Sequence, residues 1–230
     1  MNTKIIILIP AYNPTIDLIN LVKDLKNNLY ENIVVVNDGS SESYMSIFDT
    51  ISNFCTTIHH SKNCGKGKAL KTGFEYIYNN YQNNYICITV DADGQHLVKD
   101  INKVRNFALK NKNHLVLGCR NFKEAKVPFR NRIGNLFISL FFNLIYKVKL
   151  QDTQTGLRAI PSIYIPELLN IKGTSYEYEQ NMLIYFVKNF KEKISYVTIT
   201  AVYNKNQSSY FNIFKDSIKI LKCVFKRTKN

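Results

Sequence analysis

Short apolar runs alternate with amphipathic helical patterns through the first half of the chain, and this alternation limits the choice of fold more than any other feature. The runs are rich in Ile and Val and almost continuously apolar, which is typical of strands covered on both faces of a parallel sheet. The predicted strands are Lys4–Ile9, Ile33–Asn37, Thr56–His59, Tyr85–Asp91 and Leu115–Cys119. The predicted helices are about Thr15–Asn28, Ser41–Asn53, Gly67–Asn79 and Leu97–Lys110. We therefore predict an α/β fold in which a mostly parallel sheet carries helices on both faces.

The second half of the chain is less regular. Its predicted elements are a basic loop (Arg120–Arg132), an apolar helix (about Asn135–Lys147), a polar loop (Gln151–Arg158), a helix near Tyr176–Asn189, a strand near Ile194–Val202 and a basic helix (about Phe211–Lys226). The sequence contains no repeat and no linker-like segment. We predict one domain over residues 1–210 and a basic amphipathic C-terminal helix over residues 211–230.

The cysteines and the apolar segments indicate a cytoplasmic protein. The five cysteines are scattered and odd in number, which favours reduced thiols. The apolar run at Ile5–Ile9 is stopped by Pro10 and is too short for a signal peptide. The longest uncharged stretch, Ile133–Tyr146, would span about 21 Å as a helix, less than the roughly 30 Å hydrocarbon core of a bilayer.

A strong positive charge requires an anionic partner. The chain has 31 Lys and Arg against 17 Asp and Glu, a formal net charge of +14. Such a balance suits nucleic acid, an anionic membrane surface or a phosphorylated substrate. We rank a nucleic-acid-binding module below the other two, because carboxylates at three predicted strand ends would repel a phosphate backbone.

Two carboxylates follow the predicted strand that ends at Asp91. Asp91 and Asp93 emerge together at the open end of this strand, and Gln95 adds a third oxygen. Such a set can hold a hard cation such as Mg²⁺ or Mn²⁺. The alternative is an exposed Asx turn, since Asp-Gly pairs are common in turns.

Two further loops follow predicted strands. Asp38-Gly39-Ser40 is either a strand-to-helix turn with a serine cap or a carboxylate that contacts a nucleotide. The segment from Asn63 to Lys68 lacks the spacing of a P-loop and of the dinucleotide-binding glycine pattern, and we reject both classes. Its two glycines, followed by Lys68 at a helix start, suit a position near phosphates.

Five motifs, in this order and spacing, resemble the inverting family 2 glycosyltransferases. Within that family the sequence is most similar to the polyprenol-phosphate sugar synthases, a group that includes dolichyl-phosphate mannose synthase. The motifs are Pro10-Ala11-Tyr12-Asn13, Val36-Asn37-Asp38-Gly39-Ser40, Asn63-Cys64-Gly65-Lys66-Gly67, Asp91-Ala92-Asp93-Gly94-Gln95-His96 and Asp152-Thr153-Gln154-Thr155-Gly156-Leu157-Arg158. The resemblance implies a GT-A fold, a nucleotide-sugar donor (GDP or UDP) and a divalent metal.

The resemblance also assigns roles to residues of this chain. It implies a metal site at Asp91, Asp93 and Gln95. It implies that the nucleotide contacts Pro10, Ala11, Tyr12, Asn13 and Asp38. Gly39, Lys68, Asp91 and Ala92 are our further candidates for nucleotide contacts. The chain departs from the family at Pro14, where many relatives carry Glu, and at Tyr210, where relatives often carry His.

The acceptor can be argued from charge. A phosphate monoester is already largely ionised at neutral pH and needs cations rather than a base. Between Cys119 and Ala159 the chain has eight basic residues and two acidic ones. Guanidinium groups bind phosphate oxygens in pairs, so the candidate acceptor-phosphate residues are Arg120, Arg130, Arg132 and Arg158. Arg120, Arg130 and Arg132 join Asp91 and Asp93 as candidate catalytic residues, and the alternative is a solvated basic loop.

The alternative is that the enzyme transfers the sugar to a hydroxyl of a glycan or a protein. It needs a general base, for which Glu177 and Glu179 are the candidates. On a helix these two side chains diverge by about 200°, so only one can face the site.

Two helical patterns suggest a membrane surface. The Asn135–Lys147 pattern is apolar almost all round, so that helix is either fully buried or in contact with lipid. The C-terminal pattern sets an apolar stripe beside Lys215, Lys219, Lys222 and Lys226, which suits an anionic leaflet. The alternative is that the stripe docks on the catalytic domain or on a partner subunit, which could be a membrane protein. We therefore expect a peripheral enzyme at the cytosolic membrane face, moving one sugar from a nucleotide diphosphate to polyprenyl phosphate.

Overall fold

The computed structural model describes residues 3–82, 84–121, 135, 139–140, 142–148 and 150–200. Seven strands of this part of the chain form one sheet, in the order β3-β2-β1-β4-β6-β5-β7. The strands are β1 (Lys4–Ala11), β2 (Asn32–Asn37), β3 (Thr56–His59), β4 (Tyr85–Thr89), β5 (Leu115–Arg120), β6 (Arg158–Pro161) and β7 (Ile194–Ile199). The predictions for β1 to β5 and for β7 agree with these bounds to within a few residues.

The described helices connect and cover these strands. They are α1 (Ile16–Asn27), α2 (Met45–Ile51), α3 (Lys66–Asn80), α4 (Val98–Lys110), α5 (Ile165–Leu169) and α6 (Glu177–Asn189). Residues 135, 139–140 and 142–146 are also helical. A 3-10 turn at Glu42–Tyr44 replaces the start of the helix predicted from Ser41. The predicted C-terminal helix over residues 211–230 lies outside the described residues. None of the described helices combines the length and the apolar character needed to cross a membrane.

Two apolar layers confirm helices on both faces of the sheet. One layer packs α3, α5 and α6 against alternate residues of the strands, with Leu8 and Val34 among them. The other packs α1, α2 and α4 against the residues in between, such as Ile7 and Val35. Because both faces are covered, the central strands β1 and β2 are buried almost throughout, which is why they read as continuous apolar runs.

Strand β6 is the one strand that runs against its neighbours in this sheet. It pairs antiparallel with β4 and with β5, whereas the pairs β1–β2, β1–β4, β2–β3 and β5–β7 are parallel. The sequence did not predict β6, because it has four residues and ends in Pro161. Since its direction is reversed, its first residue, Arg158, lies opposite Thr89 near the end of β4. Residues 121–157 therefore leave β5 and enter β6 at the same edge of the sheet.

Candidate functional site

A pocket opens at the sheet edge where β4, β5 and β7 end and β6 begins. Asp91 follows β4, Arg120 ends β5 and Ile199 ends β7. The pocket is lined by Asp91, Gln95, His96, Arg120, Gln154, Thr155, Gly156, Ile199 and Thr200. Two of the predicted motifs, at 91–96 and at 152–158, therefore meet here, as expected for loops at the carboxyl edge of an α/β sheet.

The carboxylate of Asp91 is engaged on both oxygens. Lys66 Nζ lies 2.8 Å from Oδ1, and His96 Nε2 lies 3.3 Å from Oδ2. Burial alone would raise the pKa of the Asp91 carboxyl, but Lys66 and His96 outweigh it and hold this pKa well below its usual range. Asp91 is therefore ionised, as a metal ligand must be.

Asp93 lies in the same loop and responds differently. Burial, and then the charge of Asp91, raise the pKa of the Asp93 carboxyl. Its Oδ1 accepts a hydrogen bond from the Gln95 backbone N–H at 3.1 Å. The carboxylates of Asp91 and Asp93 and the side-chain amide oxygen of Gln95 are hard oxygen donors. A divalent cation bound to them would relieve the repulsion between the two carboxylates. Asp91, Asp93 and Gln95 therefore fit the predicted Mg²⁺ or Mn²⁺ by their chemistry.

Lys66 is a site residue that the sequence analysis missed. Its Nζ lies 2.8 Å from Asp91 and 2.8 Å from Glu179 Oε2. Burial opposes its charge, but the two carboxylates raise the pKa of Lys66 above its ordinary value. Lys68, predicted to lie near the phosphates, is exposed, and the structure records hydrogen bonds of its backbone N–H to Gly65 and Thr174. The glycines at 65 and 67 were the sequence signal for a lysine in the site. Which of the two lysines, Lys66 or Lys68, faces Asp91 depends on where α3 begins, and the structure shows that it begins at Lys66.

Asp38 organises the loop that leads to Lys66. Its carboxylate accepts hydrogen bonds from Cys64 N–H (2.9 Å) and Gly65 N–H (2.8 Å), and it pairs with His60 Nδ1 at 2.8 Å. His60 Nε2 lies 3.0 Å from Thr72 Oγ1. The ligand atoms of Asp38, His60 and Cys64 lie within 4.8 Å of one another, a spacing that a metal ion could use. Asp38 is buried, and these partners fix the loop that leads to Lys66. Its contact with a nucleotide stays a prediction.

The loops after β1 and β2 are tied together. Asn13 N–H donates to Ser40 Oγ at 2.8 Å, and Asn13 Oδ1 accepts from Ser41 N–H at 3.1 Å. Tyr12, between β1 and Asn13, exposes 37% of its surface. The other predicted nucleotide residues at this edge are Pro10 and Ala11, both buried in β1, and Gly39 and Ala92 in the loops after β2 and β4. These residues lie on adjacent loops, and their contact with a nucleotide stays a prediction.

The four arginines predicted to bind the acceptor phosphate differ in where they lie. Arg120 lines the pocket, and Asp152 holds its guanidinium as a fork, with Nε 2.8 Å from Oδ2 and Nη2 3.0 Å from Oδ1. Arg130 and Arg132 lie outside the described residues.

Arg158 lies inside the protein and not in the pocket lining. Only 1% of it is exposed, and its guanidinium donates to Thr155 O and Glu179 O, both at 2.9 Å. Its Nη2 lies 3.9 Å from Glu179 Oε1. Arg158 starts β6, and residues of α6 enclose its side chain. Its contact with an acceptor phosphate stays a prediction that this burial does not favour.

The two candidate bases diverge on α6 as their spacing predicts. Glu177 Oε1 accepts from the N–H groups of Thr174 and Ser175, in the loop before the helix. Glu179 points the other way and pairs with Lys66 and Arg158. Only Glu179 is therefore linked to the pocket.

Comparison with known proteins agrees with this geometry. The model of the family described as "Glycosyl transferase family 2" matches residues 6–161. A UDP-N-acetylglucosamine–dolichyl-phosphate N-acetylglucosaminyltransferase of Methanococcus voltae is 32% identical over 220 residues, covering 87% of this chain and 86% of the relative. A dolichyl-phosphate beta-glucosyltransferase of Dictyostelium discoideum is 25% identical over 251 residues, covering 97% of this chain and 73% of the relative.

Solved structures support the fold. Glucosyl-3-phosphoglycerate synthase from Mycobacterium tuberculosis, crystallised with Mn²⁺, UDP and glucosyl-3-phosphoglycerate, superposes with a TM-score of 0.73 at 14% identity. The match covers 98% of this chain and 80% of that one. The predicted GT-A fold is therefore confirmed.

Proposed function

This chain belongs to glycosyl transferase family 2, and from that premise we propose that it moves one sugar, with inversion, from a nucleotide diphosphate sugar to a polyprenyl phosphate of the dolichyl type. Two similar proteins are named for transfer to dolichyl phosphate, and the name of the more similar one gives a UDP sugar as its donor. These names support the acceptor class for this chain.

The pairing of Glu179 with two cations favours a phosphate acceptor over a hydroxyl acceptor. A hydroxyl needs a carboxylate that is free to take its proton. Glu179 is the candidate linked to the pocket, and it is 8% exposed and paired with two cations, Lys66 and Arg158. A carboxylate neutralised in this way is poorly suited to act as a base. An ionised phosphate needs no base, so this pairing favours it.

The site residues suggest how transfer proceeds. Asp91, Asp93 and Gln95 would hold Mg²⁺ or Mn²⁺, which when bound supplies positive charge against the departing diphosphate. Arg120, held in the pocket by Asp152, keeps a preorganised guanidinium beside these acids. The acceptor oxygen would attack the anomeric carbon from the face opposite the leaving diphosphate, which inverts the configuration. Arg130 and Arg132 remain the proposed contacts of the acceptor phosphate.

An apolar helix surface supports a position on a membrane. Asn135 donates to Gln151 O at 3.0 Å, Ser139 bonds to Leu150 O, and Phe142 is fully buried, so one side of this helical segment is fixed to the body of the protein. Its other side exposes Leu140 (50%), Leu144 (72%) and Ile145 (37%). We name these three residues the leucine patch.

Lysines lie beside the leucine patch. Lys147 lies two residues after Ile145, and its carbonyl accepts a hydrogen bond from Lys191 Nζ at 3.1 Å. Lys188 Nζ lies 5.9 Å from the centre of the Tyr146 ring. Exposed leucines with a border of lysines suit the surface of an anionic leaflet. We therefore propose a peripheral enzyme on the cytosolic face of a membrane, whose basic C-terminal residues 211–230 add attraction to the leaflet or contact a partner subunit.

The decisive experiment compares two arginine variants with two glutamate variants. With saturating Mn²⁺, a panel of GDP and UDP sugars and a short polyprenyl phosphate, Arg130→Ala and Arg132→Ala should lower transfer by removing phosphate contacts worth about 1.5–3 kcal/mol each. Glu177→Gln and Glu179→Gln should have smaller effects. The rate should also fall as the pH drops below about 6, because the phosphate monoanion is the poorer nucleophile. An inactive Glu179→Gln beside active arginine variants would favour the hydroxyl acceptor.

A further inference from the structure

Lys66 places a positive charge where the proposed function expects a divalent cation. Its ammonium lies 2.8 Å from Asp91 Oδ1, on a carboxylate that lines the pocket. The other oxygen of Asp91 faces His96. Both oxygens of Asp91 thus have partners before any metal ion arrives.

The backbone around Lys66 fixes this position. Gly65 has φ +95°, and a Cβ there would overlap the carbonyl oxygen of Thr174. Gly67 packs against Tyr178 and Ser175 so closely that it also has no room for a Cβ. The start of α3 is therefore in tight contact with the start of α6. Lys66 lies between the two glycines, and its side chain is only 20% exposed.

Lys66 has a second partner that can keep its charge neutralised. Glu179 Oε2 lies 2.8 Å from the same ammonium, and Glu179 is itself 8% exposed. If the contact with Asp91 were given up, the ammonium would keep its bond to Glu179. The loss of one partner would then not leave a buried charge unpaired, which is the costly outcome.

We propose that Lys66 is a built-in competitor of the divalent cation at Asp91. An ammonium and a divalent cation that share one carboxylate repel each other, and this repulsion is strong at short range in a partly buried site. The enzyme without donor therefore binds Mg²⁺ or Mn²⁺ weakly. Tight binding requires the diphosphate of the donor, which adds negative charge and oxygen ligands. This inference rests on the proposed metal dependence of the enzyme.

The test measures Mn²⁺ binding to the full chain without nucleotide, from the electron paramagnetic resonance signal of free Mn²⁺. Lys66→Met should bind Mn²⁺ with a dissociation constant at least about tenfold lower than the wild type, because a charge beside the site is removed. Lys66→Arg keeps the charge and should match the wild type within about threefold. Lys23→Met is the control, since Lys23 is an exposed lysine on α1 that belongs to no part of the proposed site. It should leave Mn²⁺ binding unchanged.

A second variant keeps the test valid if Lys66→Met unfolds. Lys66→Met together with Glu179→Gln removes both charges of the Lys66–Glu179 pair, so that Asp91 is the one carboxylate of this cluster that still faces residue 66. This double variant should also bind Mn²⁺ more tightly than the wild type, whereas Glu179→Gln alone, which keeps Lys66 on Asp91, should not. Adding UDP or GDP should tighten Mn²⁺ binding to the wild type more than to either Lys66→Met protein.

The outcomes separate this inference from the proposed function. If the folded Lys66→Met proteins bind Mn²⁺ no more tightly than the wild type, the competition does not exist. If they bind more tightly but the wild type transfers no sugar to polyprenyl phosphate from any donor, the acceptor is wrong and the inference stands.

Discussion

Gly156 faces the carboxylate of Asp91 so closely that a Cβ on residue 156 would overlap both carboxylate oxygens. The carbonyl of Gly156 accepts a hydrogen bond from Thr89 Oγ1 at 2.7 Å, which fixes the glycine to the end of β4. The glycine of the 152–158 motif is therefore explained by the space that Asp91 needs. The two motifs that meet in the pocket depend on each other sterically.

A methyl group at residue 156 should displace Asp91. We expect Gly156→Ala to weaken Mn²⁺ binding and to lower sugar transfer by at least about tenfold, because a small misplacement of a site group is enough for such a loss. Both quantities can be measured on the same preparation.

Gly173→Ala is the matched control for this prediction. Gly173 has φ +116° and lies beside Tyr178 and Glu177, away from Asp91. This variant should lose about 1–3 kcal/mol of unfolding free energy through backbone strain, with unchanged affinity for Mn²⁺. Normal Mn²⁺ affinity in Gly156→Ala would mean that Asp91 is not a metal ligand.

Asp93→Ala should abolish transfer without unfolding the protein. Asp93 lies in a loop after β4, outside the apolar layers, and burial, followed by the charge of Asp91, raises the pKa of its carboxyl. Removing it should leave the thermal midpoint within a few degrees of the wild type while Mn²⁺ binding is lost. Near-normal turnover, or full wild-type activity in excess chelator, would contradict the metal site.

The pairing of Arg120 with Asp152 should be important for stability. Asp152 is fully buried and holds the guanidinium of Arg120 with both oxygens. Asp152→Asn should lower the free energy of unfolding by about 3 kcal/mol, because it leaves a largely buried cation without its counter-charge. Denaturant titration measures this loss, and Asp49→Asn, at an exposed position of α2, should cost less than about 0.5 kcal/mol. Equal stability of the two variants would show that the pair contributes little.

The leucine patch should contribute to membrane binding. Leu144→Asp should weaken binding to phosphatidylglycerol vesicles at least about tenfold, since it removes apolar contact and adds a negative charge. Leu29→Asp is the control, because Leu29 is 88% exposed, follows α1 and is not part of the leucine patch. Cosedimentation at low and high salt provides the measurement. If both variants lose vesicle binding equally, or if neither loses any, the leucine patch does not contact the membrane.

The sequence predicts most of the fold because the signals for these elements are local. Continuous apolar runs place β1 to β5, and the 3.6-residue period places α1, α3, α4 and α6, with ends that shift by a residue or two. Strand β6 and helix α5 were not predicted, since each has only four or five residues and their place in the sheet is set by distant partners.

The site was predictable where it depends on strand ends, and not where it depends on packing between elements. Asp91 and Gln95 line the pocket because their loop follows β4, as expected. Whether Lys66 or Lys68 enters the site depends on contacts between α3 and α6, which a single sequence does not reveal. Likewise, the sequence predicts Arg158 to be the last residue of a polar loop. The structure places it in β6, where it is buried.

The reversed direction of β6 has a consequence for how this enzyme can evolve. Because β5 and β6 are antiparallel neighbours, the chain leaves the sheet at the end of β5 and returns to it at the start of β6, and both points lie at the pocket. The hydrogen bonds between β5 and β6 do not depend on the residues that connect them. Loops on a fixed scaffold tolerate replacement. An exchange of residues 122–150 between relatives should therefore transplant the choice of acceptor and leave the choice of nucleotide sugar with the first half of the chain. We expect the two specificities of such an enzyme to be separable and to diversify independently.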